Sequence, residues 1–220
     1  MEVKLIGNNH SVIDEYLSEI RDISIQKDPL RFRENLNRVG ELFGYEISKC
    51  LEYSHTDVTT PLGVAHVPTL VQQPVLATIL RAGLPLHHGL LRIFDRAGNC
   101  FISAFRKYNE DGGFKIEFEY MSSPSVEGKV VILSDPMLAS GMSMEIAYRA
   151  LFSKGTPKHV HLVSVISSRQ GVNYITKSIA AKNVTLWLGA IDEKMTSKSY
   201  IVPGLGDAGD LAFGVKIDPE

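Results

Sequence analysis

Three short stretches of this chain combine residue types that could grip an anion and a polar ring. Between Val130 and Ser143 the sequence reads Val-Val-Ile-Leu-Ser-Asp-Pro-Met-Leu-Ala-Ser-Gly-Met-Ser. Val130 to Leu133 are apolar, as in a strand of parallel sheet buried on both faces. Asp135 follows at the carboxyl end, then the small residues Ala139, Ser140 and Gly141. From Met142 a helical pattern begins, with Met144, Ala147, Ala150 and Leu151 on one face. A strand, a tight turn and a helix amino terminus make an anion site, because the first-turn N–H groups are unpaired and the helix dipole favours negative charge there. Gly141 keeps a side chain out of the way of a phosphate, and Ser140 and Ser143 offer hydroxyl donors. Asp135, an acceptor beside an anion site, suits a ligand with both phosphate and hydroxyls, such as a ribose 5-phosphate. The plainer alternative is an ordinary βα turn in which Ser140 or Ser143 caps the helix. No Gly-Lys-Ser/Thr follows, so this is not the P-loop of nucleotide triphosphatases.

The second stretch is Arg81-Ala82-Gly83, directly after the apolar run Val75 to Leu80. Arginine pairs bidentately with phosphate oxygens, and glycine lets backbone N–H groups come close. The third is Tyr200-Ile-Val-Pro-Gly-Leu-Gly-Asp-Ala-Gly-Asp210, whose glycines and proline fix a backbone path that core packing does not require. The histidine pairs His87-His88 and His159/His161 have no third ligand at metal spacing and are expected to be solvated or edge residues. Met137 and Met142 are expected to fill gaps.

These stretches need a scaffold. Val75 to Leu80, Cys100 to Ala104, Val130 to Leu133, Val160 to Ile166 and Val184 to Ile191 read as strands, with helices at Leu84 to Phe94, from Met142, and near Val172 to Ala180. This alternation implies an α/β fold, a mostly parallel twisted sheet flanked by helices, with ligands at the carboxyl ends of the strands. Two amphipathic helices precede it: Ser11 to Ile23, and one starting at Asp28-Pro29 with the stripe Phe32, Leu36, Val39, Phe43, Ile47, Cys50. Tyr53 to Val67 reads as a hairpin or irregular strand pair. Phe114, Ile116, Phe118 and Tyr120 alternate with polar residues, which suggests a protruding antiparallel hairpin, or hood, over about residues 105–122.

The 220 residues suffice for one sizeable core and are expected to form a single domain over 1–220, with the amino-terminal helices at about 11–51. A net charge of −2 argues against bulk nucleic-acid binding. Cys50 and Cys100 are no disulfide framework, and neither a signal peptide nor a membrane span is expected, so the reading is a cytoplasmic protein.

Asp-Pro-Met-Leu-Ala-Ser-Gly-Met-Ser together with Tyr200 to Asp210 resembles the uracil branch of the type I phosphoribosyltransferases over most of the chain. That resemblance implies a phosphoribosyltransferase-like fold and the conversion of uracil and 5-phosphoribosyl 1-diphosphate (PRPP) to UMP and diphosphate. It assigns PRPP binding to Arg81, Arg106, Asp207 and the loop Asp135, Pro136, Met137, Leu138, Ala139, Ser140, Gly141, Met142 and Ser143. It assigns uracil to the backbone of Ile201, Gly206, Asp207 and Ala208, and catalysis to Asp135, Asp207 and Arg106. Mg2+ is implied as a cofactor bound through PRPP, and a homodimer or larger homo-oligomer as the assembly.

The chain departs from the pattern in places. Lys107 and Tyr108 interrupt the usual Tyr-Arg-Asn-Glu, Ser140 stands for threonine, Met142 for a second glycine, and Leu211 where a basic residue is common. A non-catalytic PRPP or uracil sensor, or an enzyme for another base, fits the same scaffold.

Overall fold

The computed structural model describes the backbone of residues 1–108 and 114–216, and the side chains of these residues apart from 8–9 and 104–119. Near its start, Val12–Arg21 form α1, with the Ser11 amide donating to the Asp14 carboxylate at 3.0 Å. Pro29–Ser48 form α2, where Asp28 Oδ1 accepts from the amides of Leu30 and Arg31 at 2.9 and 3.2 Å. A side-chain acceptor at the cap and proline at the first helical position are what that sequence start dictates. Phe32, Leu36, Val39, Phe43 and Ile47 are all buried. Cys50 is not: the helix ends at Ser48, so the stripe stops before it and the thiol is exposed.

The central sheet has seven strands in the order β1-β9-β8-β7-β4-β5-β6. The parallel members are β1 (Glu2–Leu5), β4 (Val75–Leu80), β5 (Gly98–Tyr108), β7 (Val130–Leu138), β8 (His159–Ser168) and β9 (Val184–Asp192). Only β6 (Phe114–Ser122) runs antiparallel, on β5. The edge strand β1 had no sequence signal; four residues paired to β9 are defined by their partner. The expected hairpin over about 105–122 is thus the antiparallel edge of the main sheet, with its tip at 109–113 outside the described residues. A separate two-stranded hairpin is made by β2 (Tyr53–Thr60) and β3 (Gly63–Leu70).

Helices cover both faces. Buried residues of α1, α2, α3 (Leu84–Ile93) and α6 (Ala208–Phe213) share one apolar cluster, and those of α4 (Met142–Leu151) and α5 (Arg169–Ser178) the other. The chain builds outward from β4 in one direction through β5 and β6. It then returns to the other side of β4 with β7, β8 and β9. Connections therefore diverge between β4 and β7, which opens a crevice at their carboxyl ends.

Of the four histidines expected to be solvated or at an edge, His88 is exposed and His159 half-buried, whereas His87 and His161 differ. His87 is buried and shares a 2.7 Å hydrogen bond with Asn99, and burial pushes its pKa down. His161 is also buried and accepts from the Trp187 indole N–H at 3.0 Å. Burial, with His159 and Lys4 nearby, lowers its pKa to about 3. His87 lies on the inner face of α3 and His161 within β8, so position in the fold overrode the polar residue type.

Candidate active site

On the β7 side, the strand runs five residues further than its apolar stretch announces. Pairing with β4 stops at Thr78–Ser134, whereas pairing with β8 continues to Leu138–Ser167. Asp135 to Leu138 therefore form a strand with one free edge, where a proline without an N–H is tolerated. Asp135 is half-buried on that stretch, and its Oδ1 accepts from the Met137 amide at 3.3 Å. Below it, the Thr78 hydroxyl donates to the Ser134 carbonyl at 3.3 Å and Ser134 Oγ to the Ala77 carbonyl at 3.2 Å, which locks β4 to β7 at the crevice floor.

The turn Ala139-Ser140-Gly141 then leads into α4. Neither serine closes the helix end: the N-cap is Gly141, and the Met142 amide reaches Ser140 Oγ only at 3.5 Å. Gly141 has a φ of 88°, and a Cβ there would stand 2.8 Å from the Tyr174 ring and 3.0 Å from Ile175. Glycine is required at 141 by this left-handed backbone and by the approach of α5, rather than by clearance for a ligand. A residue the sequence reading missed braces the turn from behind. Ser168 Oγ donates to the Ala139 carbonyl at 2.6 Å and accepts from the Gly171 amide at 2.8 Å, capping α5 while fixing the loop. Its signal was present, a serine at a strand end three residues before a glycine.

Across the crevice, β4 ends in a cis peptide bond, Leu80–Arg81, which places Arg81 exposed at the carboxyl edge. Gly83 returns over the strand so closely that a Cβ would collide with the Thr78 hydroxyl. The Arg81 guanidinium donates from Nη2 to Asp210 Oδ1 at 3.1 Å and to the Gly214 carbonyl at 3.3 Å. Arg81 therefore joins the second stretch to the third.

The third stretch starts with the short strand β11 (Ile201–Val202), paired antiparallel with β10 (Lys194–Met195), and contains a cis Val202–Pro203 bond. Gly204 and Gly206 have φ of 57° and 95°. The side chains of Ile201, Leu205 and Ala208 are buried in the core, so at these positions the backbone is what the loop can present. Nothing lies within 4 Å of the place a Cβ on Gly206 would occupy, which leaves room beside it. Asp207 caps α6, with Oδ1 accepting from the Asp210 amide at 3.0 Å, while Oδ2 meets Lys216 Nζ at 3.0 Å. Burial pushes the Asp207 carboxyl up, but the Asp210 amide and the Lys216 ammonium outweigh it, and its pKa lies below the usual value.

Further residues that the sequence reading missed hold this loop. Arg21 Nη1 and Nη2 donate to the two oxygens of Asp192 at 2.8 and 2.9 Å, and Nη1 also donates to the Gly204 carbonyl at 3.0 Å. Asp192 Oδ2 accepts in turn from the Gly204 amide at 2.8 Å. On α2, Arg33 Nη1 donates to the Ala212 carbonyl at 2.7 Å. Asp192 was legible as an acid at the carboxyl end of a strand; Arg21 and Arg33 lie on helices that looked like mere packing.

Of the expected residues, Arg81, Asp207 and the loop from Tyr200 to Asp210 are joined by direct contacts. Asp135 lies near the carboxyl end of β7, the parallel neighbour of β4, and Ser140 and Ser143 follow that strand. The Arg106 side chain lies outside the described residues.

A sheet that divides at one crevice, with a strand–turn–helix on one wall and a glycine loop on the other, has the architecture of the phosphoribosyltransferase class. The particular family follows from direct comparison: the model of the uracil phosphoribosyltransferases matches residues 7–215, and the chain belongs to that family. It is 53% identical over 217 residues to the uracil phosphoribosyltransferase of Porphyromonas gingivalis, covering 99% of this chain and 100% of that protein. It is 33% identical to the Methanothermobacter thermautotrophicus uracil phosphoribosyltransferase, covering 97% and 96%. Among solved structures, the AQ2163 protein from Aquifex aeolicus superposes with a TM-score of 0.84 at 30% identity, over 99% of this chain and 100% of that one.

Proposed function

We propose that this chain transfers the phosphoribosyl group of PRPP to N1 of uracil, giving UMP and diphosphate, and that the whole chain acts as one domain. The observation that carries the reading is the meeting of Arg81, from the β4 turn, with Asp210 of the glycine loop. It puts an anion-binding side chain and a rigid row of backbone groups on one crevice.

In this mechanism the first turn of α4 and the Ser140 and Ser143 hydroxyls take the 5-phosphate. The half-buried Asp135 carboxylate orients the ribose hydroxyls and favours the positive charge that develops on the anomeric carbon. Arg81, with Arg106, stabilises the diphosphate as it leaves with the bonding electron pair. The backbone of Ile201 and of Gly206 to Ala208 holds uracil with N1 facing that carbon, and the N1 proton passes to water as the new bond forms. Uracil presents a donor at N3 flanked by acceptors at O2 and O4, and cytosine reverses two of these. A fixed backbone row matched to uracil leaves cytosine with unpaired groups, each costing about 1–3 kcal/mol.

Among the described residues, no three His, Cys, Asp or Glu side chains are grouped to hold a metal ion. The oxygen acceptors Asp135 and Asp207 suit a hard cation that keeps most of its water and is carried by substrate phosphates. Mg2+ bound to the diphosphate would supply charge neutralisation of the leaving group. Among the described residues no helix is long and apolar enough to cross a membrane.

A radiolabelled-base assay with PRPP and Mg2+, comparing uracil, cytosine and hypoxanthine, tests the proposal. Label from uracil alone should appear in a nucleoside monophosphate. Binding of PRPP without turnover of any base would make the chain a sensor instead, and turnover of another base would overturn the choice of substrate.

A further inference from the structure

After α6 the chain reverses over the glycine loop. Gly214 takes a φ of 86°, its carbonyl accepts from Arg81, and the Lys216 amide donates to Asp210 Oδ1 at 3.3 Å. This reversal brings Lys216 Nζ to 3.0 Å from Asp207 Oδ2 and 3.9 Å from Asp210 Oδ1. The two oxygens of Asp207 thus have separate partners, the Asp210 amide for Oδ1 and the lysine for Oδ2. The family match stops at residue 215, one short of this lysine.

Asp207 and Asp210 stand one helical turn apart at the wall of a crevice that must admit a polyanion. Two cations, Arg81 and Lys216, balance these two acids. We propose that Lys216 is a positioning residue of the base site, holding the Asp207 carboxylate in a single orientation and balancing the charge of the crevice for PRPP. The inference rests on the function proposed above. Among the described residues, Lys216 pairs with Asp207 and also approaches Asp210, and Arg81 of the β4 turn pairs with Asp210, while Arg33 of α2 sits at the far end of α6 on the Ala212 carbonyl. Without Lys216, Asp207 loses a partner that lowers its pKa.

The test compares the full chain with Lys216→Met and Lys216→Arg in steady-state kinetics across pH, alongside thermal melts. Lys216 and Asp207 are both partly exposed, so solvent screens the effect. Lys216→Met should raise KM for PRPP about three- to tenfold, with a smaller change in kcat. It should also move the acid limb of kcat/KM to higher pH, because Asp207 then protonates more readily. Lys216→Arg should restore both. Wild-type KM and an unmoved acid limb in Lys216→Met would overturn the inference, as would a lowered melting temperature that fully accounts for lost activity. If the wild-type chain makes no UMP, the proposed function fails first; if it makes UMP and Lys216→Met matches it, only this inference fails.

Discussion

The two walls of the crevice are held in different ways. The proposed phosphate wall is one continuous piece of chain, β7, a three-residue turn and α4, whose turn is braced by the Ser168 hydroxyl, 29 positions from the carbonyl it binds. The base wall is a loop with little regular structure of its own. Its Gly204 carbonyl is held from 183 positions away by Arg21 and its Asp210 carboxylate from 129 by Arg81, while Arg33 holds the following α6 at Ala212 from 179. The difference has a physical origin. A helix terminus carries its ligand-binding groups by construction, because its first N–H groups have no internal partners. A row of backbone groups in a glycine-rich loop has no such internal scaffold, and its shape must be imposed by remote side chains at the cost of chain entropy.

The largest expected effect lies on the base wall. Asp192→Ala leaves Arg21 without its bidentate partner and frees the Gly204 amide; unfolding in urea should show a loss of about 3 kcal/mol. KM for uracil should rise more than KM for PRPP. A variant of native stability with unchanged KM for uracil would show that the glycine loop needs no remote support. On the other wall, Asp135→Ala should lower kcat by on the order of 10²-fold while the fold persists, read as turnover beside a circular-dichroism melt. Near-normal turnover would refute its role.

Gly141→Ala is a milder probe of the phosphate wall. Alanine at a φ of 88° beside Tyr174 should cost about 1–2 kcal/mol and raise KM for PRPP while sparing KM for uracil. An equal rise in both would mean that the walls are coupled. Ser168→Ala should cost about 1 kcal/mol by the same urea measurement, since it removes one cap.

The smallest effect belongs to a control far from both walls. His161 lies near the start of β8, at the opposite edge of the sheet, and its pKa falls from 6.5 to about 3. The unfolded chain therefore binds the proton more readily than the native one. The stability that this histidine contributes is present above pH 6.5 and is lost as pH falls towards 3. His161→Gln keeps an acceptor for Trp187 and should flatten the decline of the urea midpoint over that range, with both KM values unchanged.

Periodicity located β4 to the residue and found α2 through its cap, because proline, aspartate and apolar spacing act within a few positions. It failed where a partner defines the element. β1 is a strand only because β9 lies beside it, and β7 runs on past its apolar run because β8 offers pairing. Buried histidines escaped for the same reason, since residue type gives an average burial and not a place in the sheet.

By itself, then, this sequence determined the strand, turn and helix of Val130 to Leu151, the glycine loop and the family they mark, because each motif encodes its own backbone path within about a dozen residues. The tertiary structure alone decided that Arg81 meets Asp210, that Arg21 and Asp192 clamp Gly204, and that Lys216 closes on Asp207. These pairings depend on where whole helices and strands come to rest, and no local rule of spacing carries that information.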